Sequence, residues 1–292
     1  MNVTPAMIKQ LRAATGAGMM ECKRALVEAE GDNDGAIEIL RKSGQAKAAK
    51  KSARVAAEGL IVIRISPDHE AATLLEVNCE TDFVSKDKQF GEFCSIAADA
   101  TLNTSVNTIA DLEDFTDATT RIKDLCLSLT AKLGENIKIR RFDKLNRQGD
   151  ILASYNHGNR IGVLVDMRGG DAEVAKDIAM HIAASKPLCV DEEQIPPELL
   201  AKEREILTEQ TKQSGKPDHL IDKIVAGKLK KYLNEIILLG QAFVKDTEQT
   251  VAQKLKAHSA SVQGFLRYEI GEGIERKKEN FAEEVMAQVN QD

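Results

Sequence analysis

EVNCETDFVSK, Glu76 to Lys86, is the stretch that decides how this chain folds. Leu75, Val77 and Cys79 alternate with Glu76, Asn78 and Glu80, the period of two of a half-buried strand. The alternation stops after Glu80. From near Asp87, Phe90, Phe93, Cys94, Ala97 and Ala98 recur at spacings of three and four and share one helical face. Thr81, Asp82, Phe83 and Val84 therefore fall on a strand-to-helix connection, where a side chain can be held firmly and still point outward. Taken alone, Phe83 reads as a core residue closing the start of that helix. Asp82 reads as a turn residue bonding nearby backbone amides.

Upstream, Gly59 to Ile65 opens a strand, Ser66, Pro67 and Asp68 reverse the chain, and Thr73 to Cys79 returns. A helix follows at about Asp87 to Leu102. The same order recurs further on. Gly149 to Tyr155 is a strand, His157 to Asn159 a turn, and Ile161 to Met167 the return. A helix then runs from Asp171 or Ala172 to Ser185, with Val174, Ile178 and Ile182 on its apolar face. Strand, turn, strand and helix thus occur twice. This predicts an α+β fold with two related subdomains, each packing helices on one face of an antiparallel sheet. Between them, Ile122, Leu125, Leu129 and Leu133 make a further helix before Gly134, and Ile137, Ile139 and Phe142 alternate as another strand.

Toward the N-terminus, Thr4 is a good helix cap with Pro5 at the first helical position. The helix carries Met7, Ile8 and Leu11 and stops at Gly16 to Gly18. A second runs from about Met20 to Ala29 and ends at Gly31. Asp32 or Asn33 caps a third, with Ala36, Ile37 and Leu40 inward. Three short helices suggest a small bundle. From Arg41 to Arg54 the charges are all basic: Arg41, Lys42, Lys47, Lys50, Lys51 and Arg54. They read either as a patch for an acidic partner or RNA, or as a solvated, Ala-rich linker helix. No aromatic is interleaved, which favours the linker helix.

Toward the C-terminus, Pro196 to Gln213 is helical and charged, residues 214–217 break it, and Asp218 to Leu239 is helical again. Leu220, Ile224, Leu229, Leu233 and Ile236 are expected inward. Two long helices around a short turn make an antiparallel hairpin. Phe243, Val251 and Leu255 lead to a strand-like Val262 to Ile270, and Gly271 to Glu275 turns into an amphipathic segment, Asn280 to Val289. The expected boundaries are 1–54 for the bundle and linker helix, 55–145 for the first core subdomain and 146–190 for the first part of the second. The hairpin takes 191–236, the return of the second subdomain 237–270, and a C-terminal module 271–292.

A chain of 292 residues with 42% apolar and 29% charged residues suits about two globular domains. No apolar run approaches the roughly 18 residues of a membrane span. MNVTPAMIKQ is neither a signal nor a transit sequence, so a cytoplasmic location is expected. The cysteines, Cys22, Cys79, Cys94, Cys126 and Cys189, are odd in number and widely spaced, the pattern of buried reduced thiols. The histidines have no ligand spacing. A net charge of −6 disfavours nucleic-acid binding. Tryptophan is absent and aromatics are 4%, which leaves little to stack on single strands.

Chemistry is equally absent from the motifs. Gly16 to Lys23 superficially suggests a phosphate loop, but Glu21 and Cys22 stand where a P-loop needs Gly and Lys, and no strand precedes it. Ser85 to Lys88 matches an SxxK pattern without its companions. No paired nucleophile, metal site or cofactor site is read. The chain is expected not to be an enzyme of covalent chemistry.

ETDFVSK resembles the central signature of the bacterial elongation factor Ts family. LRAATGAGMMECKRAL, Leu11 to Leu26, resembles its N-terminal signature. KAAKK (47–51), GENIKIRR (134–141), HGNRIGVLV (157–165), IAASKP (182–187), QSGKP (213–217) and GEGIE (271–275) follow in order, so the resemblance covers nearly the whole chain. It implies a bundle of the ubiquitin-associated type and a protruding coiled-coil hairpin, which could serve a partner or self-association. It implies a guanine-nucleotide exchange factor for elongation factor Tu. In that role Thr81, Asp82, Phe83 and Val84 would reach toward the GTPase's Mg²⁺ site, with Phe83 as a wedge between helices. Arg12, Met19 and Met20 would contact the same domain, Leu133 and Gly134 the region near its phosphate loop, and His157 another domain. Glu80 stands where other members often carry Gln, and Leu133 where Ile is common. The rival is a binding module or scaffold without exchange activity, using the bundle and hairpin. A buried Phe83 would count against the wedge.

Overall fold

Thr4 accepts a hydrogen bond from the Met7 amide at 3.3 Å and Pro5 takes the first helical position, so helix α1 spans Pro5–Thr15. It ends at Gly16, whose φ of 67° is a left-handed value that glycine adopts without steric cost. Helix α2, Met19–Glu28, follows. Asp32 caps helix α3, Asn33–Lys51, by accepting from the Gly35 amide at 2.8 Å. Leu11, Cys22, Ala25, Leu26 and Ala36 form the bundle core, with Leu40 packed against it. Ile37 was expected inward and is exposed instead; Ala36 takes the position nearest the other helices. The third helix is also not short. It continues through the basic stretch to Lys51 and packs on a later helix, where Arg41 meets Asp124 at 2.7 Å. The computed structural model describes residues 3–117, 120–214 and 217–275; the expected segment at 280–289, residues 215 and 216 of the hairpin turn, and the Lys47 side chain lie outside what it describes.

Strands β1, Glu58–Ile65, and β2, Ala71–Cys79, form the first hairpin. A one-turn helix α4, Asp82–Ser85, comes next, then α5, Lys88–Thr101, and α6, Ile109–Asp114. The two-residue strands β3, Thr116–Asp117, and β4, Thr120–Arg121, pair ahead of helix α7, Ile122–Leu133. Strand β5, Lys138–Asn146, joins the sheet in the order β1-β2-β5.

The second half repeats the plan. Strands β6, Ile151–His157, and β7, Ile161–Arg168, make an antiparallel hairpin, and helix α8 spans Ala172–Ser185 with Asp171 as its cap. Helices α9, Pro197–Gln213, and α10, Asp218–Ile236, pack together. The short strands β8, Ala242–Phe243, and β9, Asp246–Thr250, precede helix α11, Val251–Ala257. Strand β10, Ser261–Glu269, then pairs antiparallel with β7, giving the order β10-β7-β6. In both sheets the third strand to arrive lies beside the second strand of the hairpin. The repeat read from the sequence is thus a repeat of topology, and the fold class is α+β. Val163, Val165 and Met167 of β7 pack with Val174, Ile178 and Ile182 of α8 and with Leu238, Phe243, Val251 and Leu255.

Three readings change in detail. β2 is not half-buried. As the central strand it is enclosed on both faces, and the polar positions Glu76 and Asn78 are buried along with the apolar ones. On α10 the inward face is Ile221, Val225, Leu229 and Leu233, whereas Leu220 is exposed; the apolar side chains on neighbouring positions made two faces look alike. The helix also stops at Ile236, and Leu238–Gly240 forms a single 3₁₀ turn.

The chain divides into two compact units. One holds residues 1–60, 76–141 and 270 onward, the other 61–75 and 142–269. Among the described residues no helix is long and apolar enough to cross a membrane.

Candidate functional site

The ETDFV segment is shaped by its own caps. Thr81 has extended backbone angles and its hydroxyl accepts from the Val84 amide at 3.4 Å, so Thr81 is the N-cap of α4. Asp82 is then the first residue of that helix. Its carboxylate pairs with Lys86 one turn on, at 2.7 Å. The capping role went to the threonine. Asp87 caps α5 in turn, accepting from the Gln89 and Phe90 amides at 2.8 and 3.3 Å.

This turn sorts the apolar side chains. Val84, Phe90 and Phe93 go inward, whereas Phe83 is 82% exposed. The reading of Phe83 as a core residue is therefore wrong. Successive helix residues point about 100° apart, so with Val84 facing the core its neighbour faces water. The alternative that weighed against a wedge, a Phe83 packed beneath the Phe90–Phe93 helix, is absent.

Hydrogen bonds with Glu135, Asn136 and Cys79 hold the segment from behind. The Glu135 carboxylate accepts from the Glu80 and Thr81 amides at 3.0 and 2.9 Å and from the Thr81 hydroxyl at 2.5 Å. Glu80 answers by accepting from the Asn136 amide at 2.6 Å. The Cys79 thiol donates to the Thr81 carbonyl at 3.1 Å. Burial, and then the Glu135 carboxylate, push that thiol up to about 12.

Glu135 follows Leu133, the last residue of α7, and Gly134, whose φ of 83° ends the helix. The structure thus brings Leu133 and Gly134 together with Thr81 to Val84. The turn between α1 and α2 arrives at the same place. A Cβ added to Gly16 would lie 2.8 Å from Lys132 Nζ, so that turn abuts the end of α7. Arg12 is exposed in the last turn of α1, and Met19 and Met20 are 59% and 64% exposed at the start of α2. His157 belongs to the other unit. It ends β6, exposed, with Nδ1 3.2 Å from the Tyr155 hydroxyl.

Sequence reasoning missed α4, the capping role of Thr81 and the part played by Glu135. Threonine followed by aspartate at a strand end was a readable cap signal. Nothing local marks a contact between residues 54 and 55 positions apart. Among the described residues, no group of three His, Cys, Asp or Glu side chains is placed to hold a metal ion.

Fold and site define an α+β protein that holds an exposed aromatic ring, Phe83, at the head of a capped one-turn helix. A family model described as Elongation factor TS matches residues 80–272. The chain is 54% identical over 289 residues to Elongation factor Ts of Thioalkalivibrio sulfidiphilus, covering 99% of each chain. It is 53% identical over 292 residues to that of Methylococcus capsulatus and 50% identical over 289 residues to that of Legionella pneumophila strain Paris, each again over 99% of both chains. The protein is a translation elongation factor. It belongs to the elongation factor Ts family.

Proposed function

We propose that this protein binds elongation factor Tu carrying GDP and speeds GDP release, so that GTP can take its place. The observation that carries the reading is Phe83, 82% exposed at the head of a capped helix. A large apolar ring held out in water weakens nothing in the fold by leaving it, and gains most from a pocket on a partner. A ring also fills a pocket at low entropic cost, having only two side-chain torsions.

The process needs no covalent step. A nucleotide and its Mg²⁺ hold the phosphate-binding loops of a GTPase in one arrangement. A partner that prefers the nucleotide-free arrangement weakens the nucleotide, and the nucleotide weakens the partner by the same factor. In this reading Phe83 enters between helices near the Mg²⁺ site, with Asp82 and Val84 beside it. Arg12, Met19, Met20, Leu133 and Gly134 bind the same domain of the GTPase, and His157 another. The flexible methionine side chains suit such a groove.

The test is release of a fluorescent GDP analogue from elongation factor Tu, chased with excess GDP at fixed Mg²⁺. Strong acceleration by this protein, largely lost in Phe83→Ala, is the expected result. Acceleration that survives the substitution keeps the function and moves the mechanism to other contacts. No acceleration by the parent chain leaves only a binding module.

A further inference from the structure

We propose that Glu135 is a positioning residue for Phe83: it fixes Thr81 as the cap of α4 and so presets the direction in which the ring leaves the surface. The proposal rests on the reading of Phe83 as the partner contact.

A threonine hydroxyl has one proton. Here the proton goes to Glu135 Oε1 at 2.5 Å, which leaves a lone pair on the same oxygen to accept from the Val84 amide at 3.4 Å. The second carboxylate oxygen takes the Glu80 and Thr81 amides. Three donors thus converge on one carboxylate, and charged acceptors make the stronger hydrogen bonds. With its amide and hydroxyl both bound, Thr81 loses freedom in φ and in its side-chain torsion. The cap holds Val84 in place, and Val84 anchors the inward side of α4.

A four-residue helix has little stability of its own, so its direction must be imposed from outside. Glu135 is the side chain placed to impose it. Asn136 completes the brace, donating from its side chain to the Arg54 carbonyl at 2.8 Å while its amide goes to Glu80. A contact held in its bound geometry before the partner arrives avoids the ordering cost on binding.

Glu135→Gln keeps the shape of the side chain but replaces one acceptor oxygen with a donor. Stimulated GDP release should fall about tenfold, the size expected when one such bond is left unmade, with the thermal midpoint close to that of the parent. A purely structural role is separated by a double-mutant cycle with Phe83→Ala. The cycle is read in affinity for nucleotide-free elongation factor Tu, where other contacts keep the single variants measurable. If Glu135 acts through Phe83, adding Glu135→Gln to Phe83→Ala costs less than about twofold.

Costs that multiply overturn the proposal. So does a Glu135→Gln variant equal to the parent while Phe83→Ala is impaired, a result that leaves the exchange function standing. A parent chain that accelerates nothing removes the exchange function itself and the proposal with it. Should Glu135→Gln not fold, Thr81→Val and Thr81→Ser serve. The valine should repeat the tenfold loss, the serine, which keeps the hydroxyl, should lose clearly less, and equal losses in the two overturn the proposal.

Discussion

Glu76 Oε2 lies 2.6 Å from Arg141 Nε, and the Glu76 side chain has no exposed surface. Its other oxygen accepts from Arg140 Nη1 at 2.8 Å, from the Gly271 amide at 2.9 Å and from Asn78 Nδ2 at 3.1 Å. A carboxylate buried on the central strand is tolerable only because every direction is answered. The GEGIE segment is drawn into the same cluster, since Arg140 also donates to the Glu272 carbonyl.

Glu76→Ala should therefore destabilise the first unit. Removing one member of a fully buried ion pair costs about 3–5 kcal/mol. The two arginines keep 24% and 32% exposure and can rehydrate, which points to about 2–3 kcal/mol here. A lower urea midpoint at unchanged slope checks this. Limited proteolysis should show earlier cutting beyond Ile270, because the anchor of Gly271 is gone.

Phe83→Ala should leave stability within about 0.5 kcal/mol of the parent, since little buried area is lost. Val84→Ala, one residue on and facing the core, should cost about 1–2 kcal/mol. Equal losses in the two variants, read from thermal melts, would contradict the inward and outward sorting of α4.

His181 gives a pH dependence of known sign. The Val244 amide donates to its Nδ1 at 3.1 Å, so that nitrogen carries no proton and Nε2–H donates to Gln241 Oε1 at 3.0 Å. Burial holds the imidazole below its usual range, against the opposing effect of the Gln241 hydrogen bond. Above the unfolded histidine range both states are neutral and the contribution is whole. As pH falls below it, the unfolded chain takes up a proton that the folded protein refuses, and stability is lost until the folded group itself titrates. The slope from this residue is at most about 1.4 kcal/mol per pH unit. Urea unfolding on either side of about pH 6.5 should show a drop on the acid side that His181→Gln reduces.

The thiols should react unequally. Burial pushes Cys79 and Cys126 up to about 12 and Cys94 well above the ordinary thiol range. The thiolate is the reactive form, so near pH 8 these three should label slowly in the native protein and readily in denaturant. Mass-spectrometric mapping of an alkylating reagent reads this site by site. Fast native labelling of Cys94 would overturn the packing described for α5.

Where pattern and local chemistry acted together, the fold was legible. Thr4 with Pro5, Asp32, Asp87 and Asp171 each mark a helix start that the structure places within a residue. Both hairpins, and the helices after them, follow from period and turn residues. What was not legible depends on distant partners. Glu76 and Asn78 look solvent-facing until Arg140 and Arg141 are seen across the sheet. Phe83 looks like core because hydrophobicity alone does not tell which side of a one-turn helix a residue takes. Leu220 and Ile221 are equally apolar, so the face of α10 had to be settled by packing against α9. Glu135 was read only as part of a motif, since its partners lie on another segment.

The unbroken run of α3 has a mechanical meaning. Its 19 residues make a rod about 28 Å long. At one end Ala36 sits in the bundle core. Just beyond the other end, the Ser52 and Arg54 carbonyls are tied to the Asn136 side chain. The methionines of α2 and the ring of Phe83 are thus joined by a strut instead of a tether. On the reading proposed above, a partner that grips one finds the other already at the right distance, so the second grip comes without the entropy of searching for it. Two modest contacts then act as a chelate, and the spacing between them becomes as much a part of recognition as the side chains themselves.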